Sequence, residues 1–269
     1  MMDINPEEYI FVVRTVQSSI IKTLFDTIKD VFLEINIIVD SNGLFISKMN
    51  SDHTVLIHAS LKPTNFELFI SNRQKVVGVN LKNVFKFLKT TSNGETITLC
   101  IKKDTPDNLD IILENSEKNT VKKCSVTIMF LDEKRIDIPA IEFDAIINMP
   151  TGEFQEAIKN LYSVSDTVLI ESVDNRVKFT SEGDSGSITI DMGEFGTAGS
   201  GTGVGVETTC PYACGKFSLK FLNSMAKSGN LCNSVDIYLK NDSPLALIYR
   251  VSSLGTVKYL LAPKVMEEF

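Results

Sequence analysis

Histidine is almost missing from this chain: His53 and His58 are the only two in 269 residues. The five cysteines stand at 100, 124, 210, 214 and 232, and their one close pair, in CPYAC, lacks the spacing of a zinc ribbon. No metal site and no disulfide framework are therefore expected, no cofactor is implied, and unpaired thiols point to a reducing compartment. Long apolar runs are missing as well. No stretch approaches the roughly 18 apolar residues of a membrane span, and MMDINPEEYIF is acidic where an export signal would be basic, so neither membrane insertion nor export is expected. Positive charge is the third shortage, with 27 Lys and Arg against 34 Asp and Glu and a net charge of −7. That balance excludes a protein that coats nucleic acid over its whole surface, because phosphate binding needs clustered Lys and Arg. Any basic function has to be local.

Two apparent enzyme signals lack their essential parts. GDSGS at Gly183–Ser187, taken with His58 and Asp110, imitates the His, Asp, Ser order of a chymotrypsin-like protease. A Lys-rich segment intervenes between His58 and Asp110, however, and the glycine that usually ends the motif is Ser187. Gly193–Gly205 is glycine-rich like a phosphate cradle, but it has no GK[ST] and no helix opening out of it. It reads as a surface loop, and no catalytic residue is assigned.

What the sequence does contain is a localised basic pattern. Over Asn80–Thr91, NLKNVFKFLKTT, helical spacing places Lys82, Lys86 and Lys89 inside a stripe about 60° wide, while Leu81, Val84, Phe85, Phe87 and Leu88 fill the rest. No acid interrupts the stripe. The same kind of segment recurs at Ser18–Val31 with Lys22 and Lys29, at Thr151–Tyr162 with Lys159, and at Lys216–Ser228 with Lys216, Lys220 and Lys227. Each predicted helix is followed by a hairpin, with turns at Ser41-Asn42-Gly43, Asp104–Asn108, Asp174-Asn175 and Asn241–Pro244. A further strand pair is expected from Thr54–Ser60 and Asn65–Ile70.

The helix starts near 18, 80, 151 and 216 make a fourfold internal repeat, two units to each half. Ile128–Pro139, IMFLDEKRIDIP, is the expected linker, giving domains 1–127 and 140–269 joined by a connector at 128–139. The four helices hold nine lysines against four acids, so the remainder of the chain is net negative by twelve. Charge segregated onto one repeated helix type builds one basic surface. Helices lining one side of a strand scaffold form a plate, and several plates closed into a ring would hold duplex DNA through phosphates alone. The strands near Thr120–Met129 and Ser187–Met192 are the expected edges, with Lys122, Lys123, Val126, Ile188 and Ile190 at the seam.

VNLKNVFKFLKTTSNGE, KMNSDHTVLIHASL, MPTGEFQEAIKNL, SGSITI, DSPLALIYRV and LGTVKYLLAPKVMEE together resemble, in order and spacing, the proliferating cell nuclear antigen family of DNA sliding clamps. The likeness runs from about Val16 to Glu268. The resemblance implies an α+β chain of two similar clamp domains, each with two helices on a curved antiparallel sheet. It further implies closure into a homotrimeric, pseudo-six-fold ring around double-stranded DNA, without catalysis, that tethers DNA polymerase and other replication and repair proteins as a processivity factor. The alternative is a subunit of a heterotrimeric, checkpoint-like clamp. The location implied is the nucleus, or the site of replication if the source is viral.

By the same resemblance the DNA-facing residues are Lys22, Lys29, Lys86, Lys89, Lys159, Lys220 and Lys227, to which the helical stripes add Lys82 and Lys216. The partner-peptide pocket falls on Met49, His53, Leu56, Ile136, Ile138, Pro139, Pro244, Leu260, Ala262, Pro263 and Val265. The chain departs from the family pattern in four places. Glu156 stands where a basic residue is usual, Leu260 where Tyr is usual, Asp174 where a modifiable Lys is frequent, and Lys134-Arg135 where acids and amides are usual.

Overall fold

The computed structural model describes residues 5–71, 73–92, 94–132, 136, 142–193 and 203–265. The chain divides into two units. The first comprises Met1–Lys48, His58–Ile136 and Val251–Thr256, and the second Met49–Ile57, Asp137–Arg250 and Val257–Phe269.

In the first unit, β1 (Tyr9–Thr15) lies between β5 (Leu68–Ser71) and β7 (Thr96–Lys102), and β8 (Asn108–Asn115) and β9 (Thr120–Thr127) extend the sheet to its far edge. Every neighbouring pair is antiparallel. The expected pairing of Thr54–Ser60 with Asn65–Ile70 does not occur. β4 (Val55–Leu61) and β5 belong to different sheets, because the 3-10 turn Pro63–Asn65 redirects the chain and β5 joins β1 instead. The hairpin of β2 (Glu34–Asp40) and β3 (Gly43–Met49) closes around Ser41-Asn42 as expected, with β6 (Lys75–Asn80) on the other side of β2. Gly43 is required there. Its φ is +142°, and a Cβ would lie 2.2 Å from the Leu61 carbonyl oxygen.

Period-two alternation gives the five-stranded sheet two working faces. Ile97, Leu99, Ile101, Leu109, Ile111 and Leu113 share one face and are all at most 5% exposed. On the opposite face Tyr9, Val12, Cys100 and Ile112 form a smaller cluster, with Leu68 and Ile70 packed against it. Burial, helped by the nearby Asp110 carboxylate, pushes the Cys100 thiol up to about 12, so it is chemically inert. An ion pair between Arg14 and Glu114 at 3.4 Å closes this face, the Arg14 Nε also donating to Thr98 at 3.0 Å.

Two helices accompany this sheet. α1 (Ser18–Ile28) buries Ile21, Leu24, Phe25 and Ile28, and α2 (Leu81–Leu88) buries Leu81, Val84 and Leu88. α2 starts where Asn80 Oδ1 accepts the Asn83 amide at 3.2 Å. α1 begins at Ser18, and Gln17 occupies its cap position without a side-chain bond.

The second unit repeats the plan. β11 (Thr167–Val173), β12 (Arg176–Gly183), β13 (Gly186–Gly193) and β15 (Tyr212–Ser218) form a sheet in the order β13-β12-β11-β15. β10 (Ala145–Pro150) pairs with β14 (Gly205–Thr208) and with β16 (Ser234–Leu239), which pairs with β17 (Leu245–Val251). Asp174 and Asn175 take φ of 48° and 60°, the double left-handed turn that a right-twisted two-residue hairpin needs. α3 (Thr151–Tyr162) buries Phe154, Ala157, Ile158 and Leu161, and α4 (Leu219–Ala226) buries Leu222 and Met225. The last named strand is β18 (Gly255–Leu261).

Candidate functional site

The helices in each unit carry the lysines, and the structure sorts those lysines by what their ammonium groups touch. On α2, Lys82, Lys86 and the C-cap residue Lys89 are exposed, Lys86 Nζ reaching Asn83 Oδ1 at 3.4 Å. The acid-free stripe read from the sequence is therefore solvent-facing. Lys22 and Lys29 on the neighbouring α1 are used within the chain. Lys22 Nζ donates to the carbonyls of Lys89 and Thr91, each at 3.3 Å. Lys29 is held at 2.8 Å by both Asp26 and Asp30, and its ammonium lies 4.8 Å from the Phe85 ring centroid. Burial alone would lower the Lys29 pKa, but the two carboxylates outweigh it and the value is raised.

In the second unit Lys159 on α3 and Lys220 on α4 are exposed, as is Lys227 at the C-cap of α4. Glu156 is exposed one turn before Lys159, so a negative charge stands among these cations. Lys216 is a correction. It belongs to β15, not to a helix, because α4 begins only at Leu219 after the cap position Ser218. The strand character of YACGKFS was masked by the helical spacing of three lysines. Lysines recur at a helix end, however: Lys29, Lys89 and Lys227 are the C-cap residues of α1, α2 and α4, where the carbonyl end of the helix favours a cation.

The sheet edges lie where expected. β9 ends the five-stranded sheet and β13 ends the four-stranded one. Lys123 is exposed on β9, and Ile188 and Ile190 are half-buried on β13. Two seam candidates have other partners. Val126 is 6% exposed and packs into its own unit, and Lys122 Nζ is bonded to Glu95 Oε1 at 2.8 Å and to the Thr90 carbonyl at 3.0 Å.

Several of the residues expected to receive a partner peptide lie within the second unit. Asn50 Oδ1 accepts the amides of Thr54 at 2.9 Å and Val55 at 2.8 Å, forming a tight loop that holds exposed His53 at φ 56°. The Ala262 amide donates to the Thr54 carbonyl at 2.8 Å, so the tail Ala262–Val265 is tied to that loop, and the Lys264 amide donates to the Lys216 carbonyl at 2.7 Å. Met49, Pro244, Leu260, Ala262 and Pro263 are half-buried, and Val265 is 88% exposed. Leu56, expected in the pocket floor, is only 6% exposed. Ile138 and Pro139 fall outside the described residues, as do Lys134 and Arg135. Ile136 is half-buried in the first unit, its carbonyl accepting from Ser47 Oγ at 2.9 Å.

Comparison with known proteins decides what these surfaces belong to. The model for proliferating cell nuclear antigen, N-terminal domain, matches residues 10–136, and that for its C-terminal domain matches residues 137–264. This chain belongs to the proliferating cell nuclear antigen family. A probable DNA polymerase sliding clamp of Paramecium bursaria Chlorella virus 1 is 30% identical over 266 residues, covering 96% of this chain and 98% of the relative. The proliferating cell nuclear antigen of Chaetomium thermophilum is 30% identical over 256 residues, covering 95% and 98%. The chain is thus a two-domain α+β DNA sliding clamp of DNA replication, a non-enzymatic scaffold. The protease-like residues fit that conclusion. Asp110 accepts from Ser125 Oγ at 2.7 Å, and Ser185 sits in the tight turn between β12 and β13.

Among the described residues no group of His, Cys, Asp or Glu could hold a metal, and no helix is long and apolar enough to cross a membrane. Two elements of the site escaped the sequence reading. The Lys122–Glu95 pair joins residues 27 apart through a loop, and the bond from Gln155 Nε2 on α3 to the Ala226 carbonyl at 2.8 Å leaves no periodic signature.

Proposed function

We propose that this clamp is a homotrimeric, pseudo-six-fold ring that encircles duplex DNA and tethers a DNA polymerase, its loader and other replication and repair proteins. The domains would run 1–127 and 140–269 about a connector at 128–139. The observation that carries the reading is the set of exposed lysines on the helices, Lys82, Lys86, Lys89, Lys159, Lys220 and Lys227, in a chain of net charge −7. Exposed cations that recur on the helices suit contact to phosphates, and such contact permits sliding. Self-association uses β9 of one copy and β13 of the next, which removes the two free edges.

Partner peptides dock against Met49, Pro244, Leu260, Ala262 and Pro263, with Ile138 and Pro139 contributed by the connector. Leu260 in place of a Tyr makes that contact rest on apolar burial, and Lys134-Arg135 favours acidic flanks. The protein acts in the nucleus, or at a viral site of replication. Light scattering of the purified chain, together with polymerase assays on primed circular DNA, tests this reading. A mass of three chains and longer products support it, and a monomer without effect on product length refutes it.

A further inference from the structure

Lys22 and Gln155 occupy equivalent places in the internal repeat. Each is the fifth residue of the first helix of its unit, α1 beginning at Ser18 and α3 at Thr151. Each reaches across to the C-terminal end of the second helix. Lys22 Nζ donates to the carbonyls of Lys89 and Thr91, and Gln155 Nε2 donates to the carbonyl of Ala226 at 2.8 Å and to Asn230 Oδ1 at 3.4 Å. The last carbonyls of a helix have no partner within it, so a donor from the neighbouring helix both satisfies them and fixes how the two helices meet. One unit does this with a cation and the other with a neutral amide. The task therefore requires a donor and not a charge.

We infer that Lys22 is a positioning residue, a strut locking α1 to the end of α2, and not one of the phosphate contacts. The inference rests on the DNA-encircling reading for its second half only. The strut holds the turn in which the amides of Lys89, Thr90 and Thr91 donate to the carbonyls of Phe85, Phe87 and Leu88. That turn carries Lys89, so Lys22 acts on DNA through the placement of another lysine.

The test is amide hydrogen exchange at Lys89, Thr90 and Thr91 in the full chain, combined with the salt dependence of binding to a duplex DNA. Lys22→Ala is expected to speed exchange at these amides about fivefold, the worth of one net hydrogen bond. Lys22→Gln, which copies Gln155, should restore protection to within about twofold. Gln155→Lys should likewise keep the end of α4 protected where Gln155→Ala exposes it. On DNA, Lys22→Gln should leave the slope of log affinity against log salt unchanged, whereas Lys86→Gln should reduce it by about 1. Unchanged exchange in Lys22→Ala overturns the strut, and so does failure of Lys22→Gln to restore protection. A slope reduction in Lys22→Gln equal to that of Lys86→Gln overturns the claim that Lys22 does not touch phosphate. If Lys86→Gln and its neighbours also leave the slope unchanged, the DNA reading itself has failed, and the exchange data alone decide the strut.

Discussion

The ammonium of Lys122, on the edge strand β9, lies 2.8 Å from the carboxylate of Glu95, which is only 3% exposed. Burial pushes the Glu95 carboxyl up, but the hydrogen bonds from Lys122 and the Ser92 amide, with the charges of Lys122 and Lys118, outweigh it and hold the pKa below the ordinary value. A folded pKa below the unfolded one contributes stability that is complete above the unfolded value of about 4.3 and is lost as pH falls through the folded value. Glu95→Gln should therefore cost on the order of 1–3 kcal/mol near neutral pH and little in acid. Urea unfolding at neutral pH and near pH 3 measures both. An equal loss at the two pH values would contradict the linkage.

The same bond changes what is expected at the seam. Lys122 is already occupied and Val126 is buried in its own unit, so in the proposed ring the apolar part of the contact would fall to Ile188 and Ile190. Ile188→Lys should convert the assembly to monomers without unfolding it, read by sedimentation together with a thermal melt. Val126→Lys should instead unfold the first unit, because it buries an unpaired charge. A trimeric Ile188→Lys chain would remove β13 from the interface.

Replacing Lys82, Lys86, Lys89 and Lys220 together with Ala should weaken DNA binding at low salt and flatten its salt dependence by about 1 for each phosphate left without its cation, whatever the DNA sequence. Stability should change by no more than about 0.5 kcal/mol per site, since each side chain is exposed. Fluorescence anisotropy over a salt series measures the first and thermal unfolding the second. An unchanged slope would place the DNA elsewhere.

Helices, hairpins and edges were legible in the sequence because each rests on a local pattern. Period 3.6 marks α1 to α4, and Asp174-Asn175 marks a turn by backbone chemistry alone. Elsewhere two patterns overlap or a distant contact decides. Lys216 fits a helical stripe with Lys220 and Lys227, yet the strand β15 runs on to Ser218 and only then gives way to α4. Asn65–Ile70 looks like the return strand of a hairpin, but β1, far earlier in the chain, claims β5 by setting Phe11 opposite Ser71. Leu56 resembles a pocket residue by family position, while its burial is set by packing that no local window records.

For the partner pocket, that burial decides which variant is informative. Leu56→Ser should lower stability by about 2–4 kcal/mol and blur any effect on binding. Leu260→Ser, at a half-buried position beside the Thr54–Ala262 bond, should leave folding and trimer mass unchanged while weakening a clamp-binding peptide about tenfold or more. Isothermal titration against the parent and both variants checks this, and equal affinity in parent and Leu260→Ser would take Leu260 out of the pocket.

In the function proposed above, the protein holds DNA by enclosing it. The most direct measurement loads the clamp onto a nicked circular duplex with a clamp loader, removes unbound protein, and compares retention before and after a single cut that makes the DNA linear. Enclosure predicts that the protein stays on the circle at physiological salt and leaves through the free ends within minutes of the cut. Equal retention on circular and linear DNA would contradict it, because a protein that merely adheres to phosphates does not sense the ends.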